Sequence, residues 1–273
     1  MAKPKLALIP ATQGSKLYSV LPADGVGDFN FSRNSAATRI NKDGLIETVA
    51  VGKSRLNYPL IDGVVNGCPS HLLEPSRLQK IQYSEAFDNA YWAKIGSSVV
   101  SGFVSPKGDL SAFNLIENTA TQAHYAVTQT VTQSEYSFSV FAKKSSRFIQ
   151  LAGNLTVNDF VNFDLSNGTI GSIGSGASNA KIEEYKNDWY RCSITTTLST
   201  SVIALVPSST SSYVASYQGN GTSGVYIYGA QVEQGSYPTS YIPNYGTSAG
   251  ITRVAETANG AGDASTFNSS EGV

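Results

Sequence analysis

Charge is scarce in this chain: Asp, Glu, Lys and Arg make up 14% of its 273 residues, and the formal net charge is −1. With no excess of either sign there is no electrostatic footprint for nucleic acid or an anionic membrane surface. Two cysteines, Cys68 and Cys192, cannot build a disulfide framework. Two histidines, His71 and His124, cannot furnish a zinc set or a triad with spares. No apolar run nears the roughly 18 residues that span a bilayer. The opening MAKPKLALIP has too short an apolar run to be expected to act as a secretory signal. Sustained helical spacing is missing; Ser84-Glu85-Ala86-Phe87-Asp88 caps at most one short turn.

What is abundant points elsewhere. Ser and Thr supply about a fifth of the chain, there are 25 Gly, and the apolar share is 41%. That mixture suits many short strands joined by tight turns. Residues 1–78 hold six of the ten prolines and read as extended chain with a few hairpins, expected to pack on a neighbouring domain or subunit. Within them, Asp28–Ser32 and Gly44–Val49 alternate as short strands. Residues 79–245 carry recurring alternating segments, Ala112–Glu117, His124–Val131, Tyr136–Phe141, Arg147–Leu151, Phe160–Leu165, Trp189–Thr196 and Val225–Glu233, together with the more continuously apolar Ser201–Val206. With a weaker one around Val99–Val104 there are about nine strands. Antiparallel strands with one apolar face each need a second sheet, so the expected fold is all-β, an antiparallel sandwich of jelly-roll type. Residues 246–273, rich in Gly, Ala, Ser and Thr, read as a linker or the start of a further domain, with Ser265–Val273 like the opening of a strand.

Motifs with chemical meaning are few. Gly246-Thr247-Ser248-Ala249-Gly250 matches G-x-S-x-G, but both histidines precede it and no helix follows. Gly219-Asn220-Gly221-Thr222-Ser223-Gly224 matches G-x-G-x-x-G but runs into a strand, which makes it a hairpin loop. Asn154, Asn167, Asn220 and Asn268 fit the glycosylation pattern and are read as turn asparagines. Glu183, Glu184, Asp159, Asp164 and Glu233 form no evident glycosidase pair. They are read as caps or solvated acids, with structural Ca²⁺ the one cofactor such strand-end acids would suit, although no D-x-D-x-D-G loop is present. His124 is read as a satisfied sheet histidine. Aromatic rings stack on the C–H faces of sugars, and tyrosines crowd the C-terminal end of the expected sandwich: Tyr213, Tyr217, Tyr226, Tyr228, Tyr237 and Tyr241. Tyr213 and Tyr217 lie in a loop-like stretch. With Trp92 they form the candidate glycan-contact set, each weighed against ordinary packing.

One set of residues carries a family resemblance. Phe29-Asn30-Phe31-Ser32-Arg33-Asn34-Ser35-Ala36-Ala37-Thr38-Arg39-Ile40 with Asp43-Gly44-Leu45-Ile46 resembles an opening found in many bacteriophage structural proteins. Leu72-Leu73-Glu74-Pro75-Ser76-Arg77 and Tyr83-Ser84-Glu85-Ala86-Phe87, with Asn89 and Trp92, resemble their second segment. Ser139–Lys143, Asn187–Cys192 and Gly229–Pro243 complete the likeness, which spans about residues 28–257. It implies a head-spike, head-fibre or tail-fibre component built on a sandwich similar to carbohydrate-binding modules. It brings no catalytic residues, so the expectation is a non-enzymatic virion protein assembled in the host cytoplasm and exposed on the particle. The implied partners are other capsid or tail proteins, sister subunits in a homotrimer, and host-surface glycan, with no nucleic acid and no membrane insertion. The alternative is a carbohydrate-binding module of a polysaccharide-active protein.

Overall fold

Alternation of apolar and polar residues is strongest between Ala112 and Gln234, and there the chain folds as paired sheets. A computed structural model describes residues 7–13, 16–21, 29–128, 132–154 and 158–260, with side chains from Asn30 onward. Asp28 of the first expected strand, the last residues of the strand expected to reach Val131, Asn268 and the Ser265–Val273 segment lie outside them. Among the described residues there is no helix.

Twelve strands make the body: β1 (Ala93–Ile95), β2 (Ser97–Phe103), β3 (Ala112–Glu117), β4 (His124–Val127), β5 (Ser134–Lys144), β6 (Phe148–Ala152), β7 (Phe160–Asp164), β8 (Thr169–Ile173), β9 (Ala177–Tyr185), β10 (Trp189–Leu198), β11 (Val202–Val206) and β12 (Gly224–Gln234). The first sheet runs β1-β4-β11-β6-β7-β8 and the second β2-β3-β12-β5-β10-β9. All neighbours are antiparallel. The expected antiparallel β-sandwich is present, with the chain passing repeatedly between layers. β8 and β9 were not legible in the sequence: both are outer-edge strands, β8 interrupted by Gly171 and β9 mostly polar.

The layers meet over a core of inward positions. Phe138, Val140 and Ala142 of β5, Cys192 and Ile194 of β10, and Val225, Ile227 and Val232 of β12 face Ile149, Leu151, Val161, Phe163, Ile203 and Leu205 of the first sheet. The period of two puts Phe141, Trp189 and Tyr228 on the opposite face of the second sheet, where they are buried under Ile46 and Tyr241. The second sheet is therefore covered on both faces, and β5 and β12 are buried almost along their length. A bulge at Gly229 (φ 58°) lets β12 stay in phase: pairing steps from Ser139↔Gln231 to Phe141↔Tyr228. A Cβ there would crowd the Phe141 and Tyr241 rings at 3.1 Å.

Residues 30–78 supply that outer cover. Ala37–Ile40 pairs with Ile46–Val49, and the hairpin carries Ile40 and Ile46 onto the sheet. Residues 246–260, read from the sequence as linker, are tied back to this cover. Ile251–Arg253 pairs with Arg77–Gln79, and Thr257–Asn259 pairs with Phe29–Ser32. The second pairing extends a four-stranded sheet with Ala7–Gln13 and Lys16–Leu21, so the chain reaches and leaves the sandwich at one pole.

Candidate functional site

At that junction the motif residues converge. Glu256 takes Arg33 Nη1 at 2.8 Å and Arg55 Nε at 2.6 Å, and also pairs with Arg55 Nη2. Glu74 takes Arg55 Nη2 at 2.8 Å and Arg253 Nη1 at 2.7 Å. The Arg33, Arg55, Arg253 and Glu256 side chains are fully buried. Burial alone would raise the Glu74 carboxyl, but Arg253, Arg55 and Ser240 together hold it below its ordinary value. Burial pulls the Arg33 and Arg253 guanidiniums down against the attraction of Glu256 and Glu74. Nearby, buried Gln79 donates to Ala230 O and Ile242 O and accepts from Ile81 N and Val232 N, tying three segments together. This is a clamp, with its polar groups turned on one another.

The sequence-derived aromatic candidates are not brought together. Trp92 has no exposed surface; its Nε1–H donates to Tyr83 O at 2.8 Å and its ring packs on Phe87 and Tyr91. A ring enclosed on all sides cannot stack on a sugar, so Trp92 is a core residue and is corrected as such. Tyr213 packs near Phe160 and donates its hydroxyl to Asn154 O at 2.6 Å. Burial, with Tyr125 and Asp159 nearby, pushes that phenol up to about 12. Tyr217 lies between Arg147 and His124, 5.2 and 4.6 Å from its ring, and donates to Glu117 Oε2 at 2.6 Å. The half-buried ring and its hydroxyl are thus both engaged within the molecule. The His124 ring nitrogens lie 2.7 and 3.2 Å from Gly96 O and Tyr217 O, in keeping with a satisfied sheet histidine.

Among the described residues, two concave regions are lined by several aromatic side chains. One is a cleft of about 500 Å³ walled by Tyr83, Leu110, Phe113 and Tyr245. At its base the nearly buried Glu85 carboxylate accepts from Tyr228 (2.8 Å), Tyr241 (3.1 Å) and Tyr245 (3.3 Å), with Lys107 at 3.6 Å. The carboxylate is largely used up by these neighbours.

The other follows β9, an edge strand of the second sheet. The Leu60–Ile61/Val64–Val65 hairpin turns through Asp62 (φ 49°) and Gly63 (φ 69°). It seats so closely on β9 that a Cβ at position 63 would lie 2.7 Å from Tyr185 O. Between cover and sheet this leaves two adjoining hollows of about 260 and 570 Å³ that share Ile40, Asn57, Glu183 and Tyr185. Tyr58, Tyr185, Tyr190 and Tyr237 line them together with Asn57, Asn167, Lys181 and Glu183. Lys181 and Glu183 pair at 2.6 Å on the rim. Burial raises the Tyr185 and Tyr190 phenols, which stay protonated as donors. Rings beside amides and hydroxyls can hold a polyol through stacking and hydrogen bonds. Of the groove residues Tyr237, Asn167 and Glu183 stood out singly in sequence, while Tyr58, Tyr185 and Tyr190 did not, because they come from segments brought together by the fold. Among the described residues no group of three or more His, Cys, Asp or Glu is arranged to hold a metal ion, and no helix is long and apolar enough to cross a membrane.

No family model matches the chain, and no curated protein matches it.

Proposed function

We propose that this chain is a non-enzymatic structural component of a bacteriophage particle, a head or tail fibre or spike. It is mounted through the side where Phe29–Ser32 pairs with Thr257–Asn259, and the sandwich is exposed on the virion surface. The observation that carries the reading is the convergence of the motif residues. Arg33 and Glu74, from two of the segments that resemble phage structural proteins, join Arg253 and Glu256 in one buried clamp. A body anchored at one pole and held together by buried ion pairs suits a projecting part of a particle. Its partners are other capsid or tail proteins and sister subunits, with a homotrimer as the assembly. Light scattering of the full chain should give a species three times the 28.9 kDa chain mass. A strict monomer with no affinity for other virion proteins overturns the reading.

A second reading, a glycan-binding module, is favoured by the tyrosine-lined groove along β9. Under either reading the glycan contact falls in that groove, since Tyr213 and Tyr217 are engaged internally. On a glycan array, Tyr237→Ala should lose signal, because Tyr237 is 52% exposed at the rim. A Tyr217→Phe variant should bind as the parent does. A blank array for the parent removes the glycan role.

A further inference from the structure

The inner hollow has an unusual floor. Arg191, on β10, is 4% exposed and lies over the Phe141 ring. Its Nη1 donates to Thr239 O at 2.7 Å and its Nη2 to Ser139 Oγ at 3.1 Å, with Tyr185 also in hydrogen-bonding reach. Its Nε–H has no partner, and among the described residues no carboxylate pairs with it. The acids around the hollow are already taken: Glu74 by Arg55 and Arg253, Glu183 by Lys181. Arg39 at the same hollow is matched by Glu47. Around the cover the guanidiniums of Arg33, Arg55, Arg191 and Arg253 outnumber by one the acids Glu74, Glu256 and Glu233, the last fully buried and held by Thr239 and Gln231, and Arg191 lines a cavity with room for one sugar ring. A buried charge left uncompensated is costly, and a planar guanidinium fits a carboxylate well.

We propose that the groove along β9 takes an acidic glycan, with the carboxylate of a uronic-acid-type sugar seated in the inner hollow against Arg191. Tyr185 and Tyr237 flank the ring, and Lys181 at the rim, paired with Glu183, has further ammonium hydrogens to donate. The inference rests on the reading of this groove as a glycan-contacting surface and adds the substrate class.

The test is calorimetric titration of the full chain with trigalacturonic acid, its neutral methyl ester, and sodium acetate or phosphate alone. NMR shifts of tyrosine resonances locate the site. The acid should bind at the groove, and the ester about tenfold more weakly, the worth of one charge-assisted bond. Because Arg191 also holds Thr239, the discriminating variant is Lys181→Ala, whose residue is exposed. It should weaken the acid by about two- to fivefold and leave the ester unchanged. Arg191→Lys, with folding checked by melting temperature, should lose the preference for acid over ester. Ester and acid binding equally in the groove overturns the acidic-sugar inference and leaves the glycan reading standing. Neither sugar shifting the groove tyrosines overturns both. Acetate or phosphate binding as tightly as the trisaccharide means a simple anion site and overturns the sugar assignment.

Discussion

Glu256 lies between two guanidiniums inside the protein, and its removal would leave Arg33 and Arg55 short of a counter-charge with no water to replace it. Breaking a buried pair by removing one partner costs about 3–5 kcal/mol, so Glu256→Gln should lower the urea midpoint by that equivalent without changing the slope. The acid side follows from Glu74 and Glu117, both held below the ordinary glutamate value of 4.5. A depressed folded pKa stabilises above the unfolded value and is lost as pH falls through the folded one. The melting temperature should therefore hold near neutrality and fall steadily below about pH 4.5. A Glu74→Gln protein should melt lower at neutral pH yet lose less on acidification. Cys192 is fully buried, and burial pushes its thiol well up, whereas Cys68 is exposed. A maleimide should label the native chain once, at Cys68, and twice in denaturant. None of these roles was legible locally. Glu256 sits in a small-residue stretch, and its partners are more than 200 positions away. Trp92 looked like a ligand platform because sequence does not show which rings Phe87 and Tyr91 enclose.

At the scale of elements, legibility followed burial. β5, β10 and β12 carry long apolar alternation and β11 an unbroken apolar run because a layer packs on each, and the sequence displays them clearly. β8 and β9 are edge strands whose exposed positions need no apolar residue, so they carried no signal. The stretch containing Tyr213 and Tyr217 was read as a free loop, but it is latched to the outer face of the first sheet. Gln150 accepts from Val214 N at 2.7 Å and donates to Ser212 O at 3.1 Å, while Asn162 donates to Ser209 O and Ser211 O. Both amides sit at buried strand positions with no exposed surface. Gln150→Leu keeps the bulk but leaves those backbone groups unpaired. It should cost about 1–3 kcal/mol. Hydrogen exchange should show faster exchange confined to residues 208–216, with β5 and β12 unchanged. Uniform loss of protection would mean the latch belongs to the main core.

Across the whole molecule, the sandwich and its cover depend on each other through the chain's last described strands. The outer face of the second sheet presents Phe141, Trp189 and Tyr228 together with buried polar residues such as Ser139 and Gln231. That surface suits neither water nor a bare apolar neighbour, and residues 30–85 and 237–259 satisfy it, Gln79, Ser84 and Glu85 among them. Glu256, with Thr257–Asn259 paired to Phe29–Ser32, closes the cover over it. A chain ending at Tyr245 keeps all twelve sandwich strands but removes Glu256, Arg253 and both closing pairings. Arg33 and Arg55 then lose their shared acid, and the cover should detach while the inner core between the sheets persists. The expected result is strong binding of a hydrophobic dye, proteolysis within residues 30–78, and far-ultraviolet dichroism still dominated by strand. If the shortened chain resists protease at those residues and binds no dye, the cover is held by Ile40 and Ile46 against the sheet and not by the ion clamp. If instead all strand signal vanishes, the inner core cannot stand without its cover, and the clamp is part of a single folding unit running from the first hairpin to the last strand.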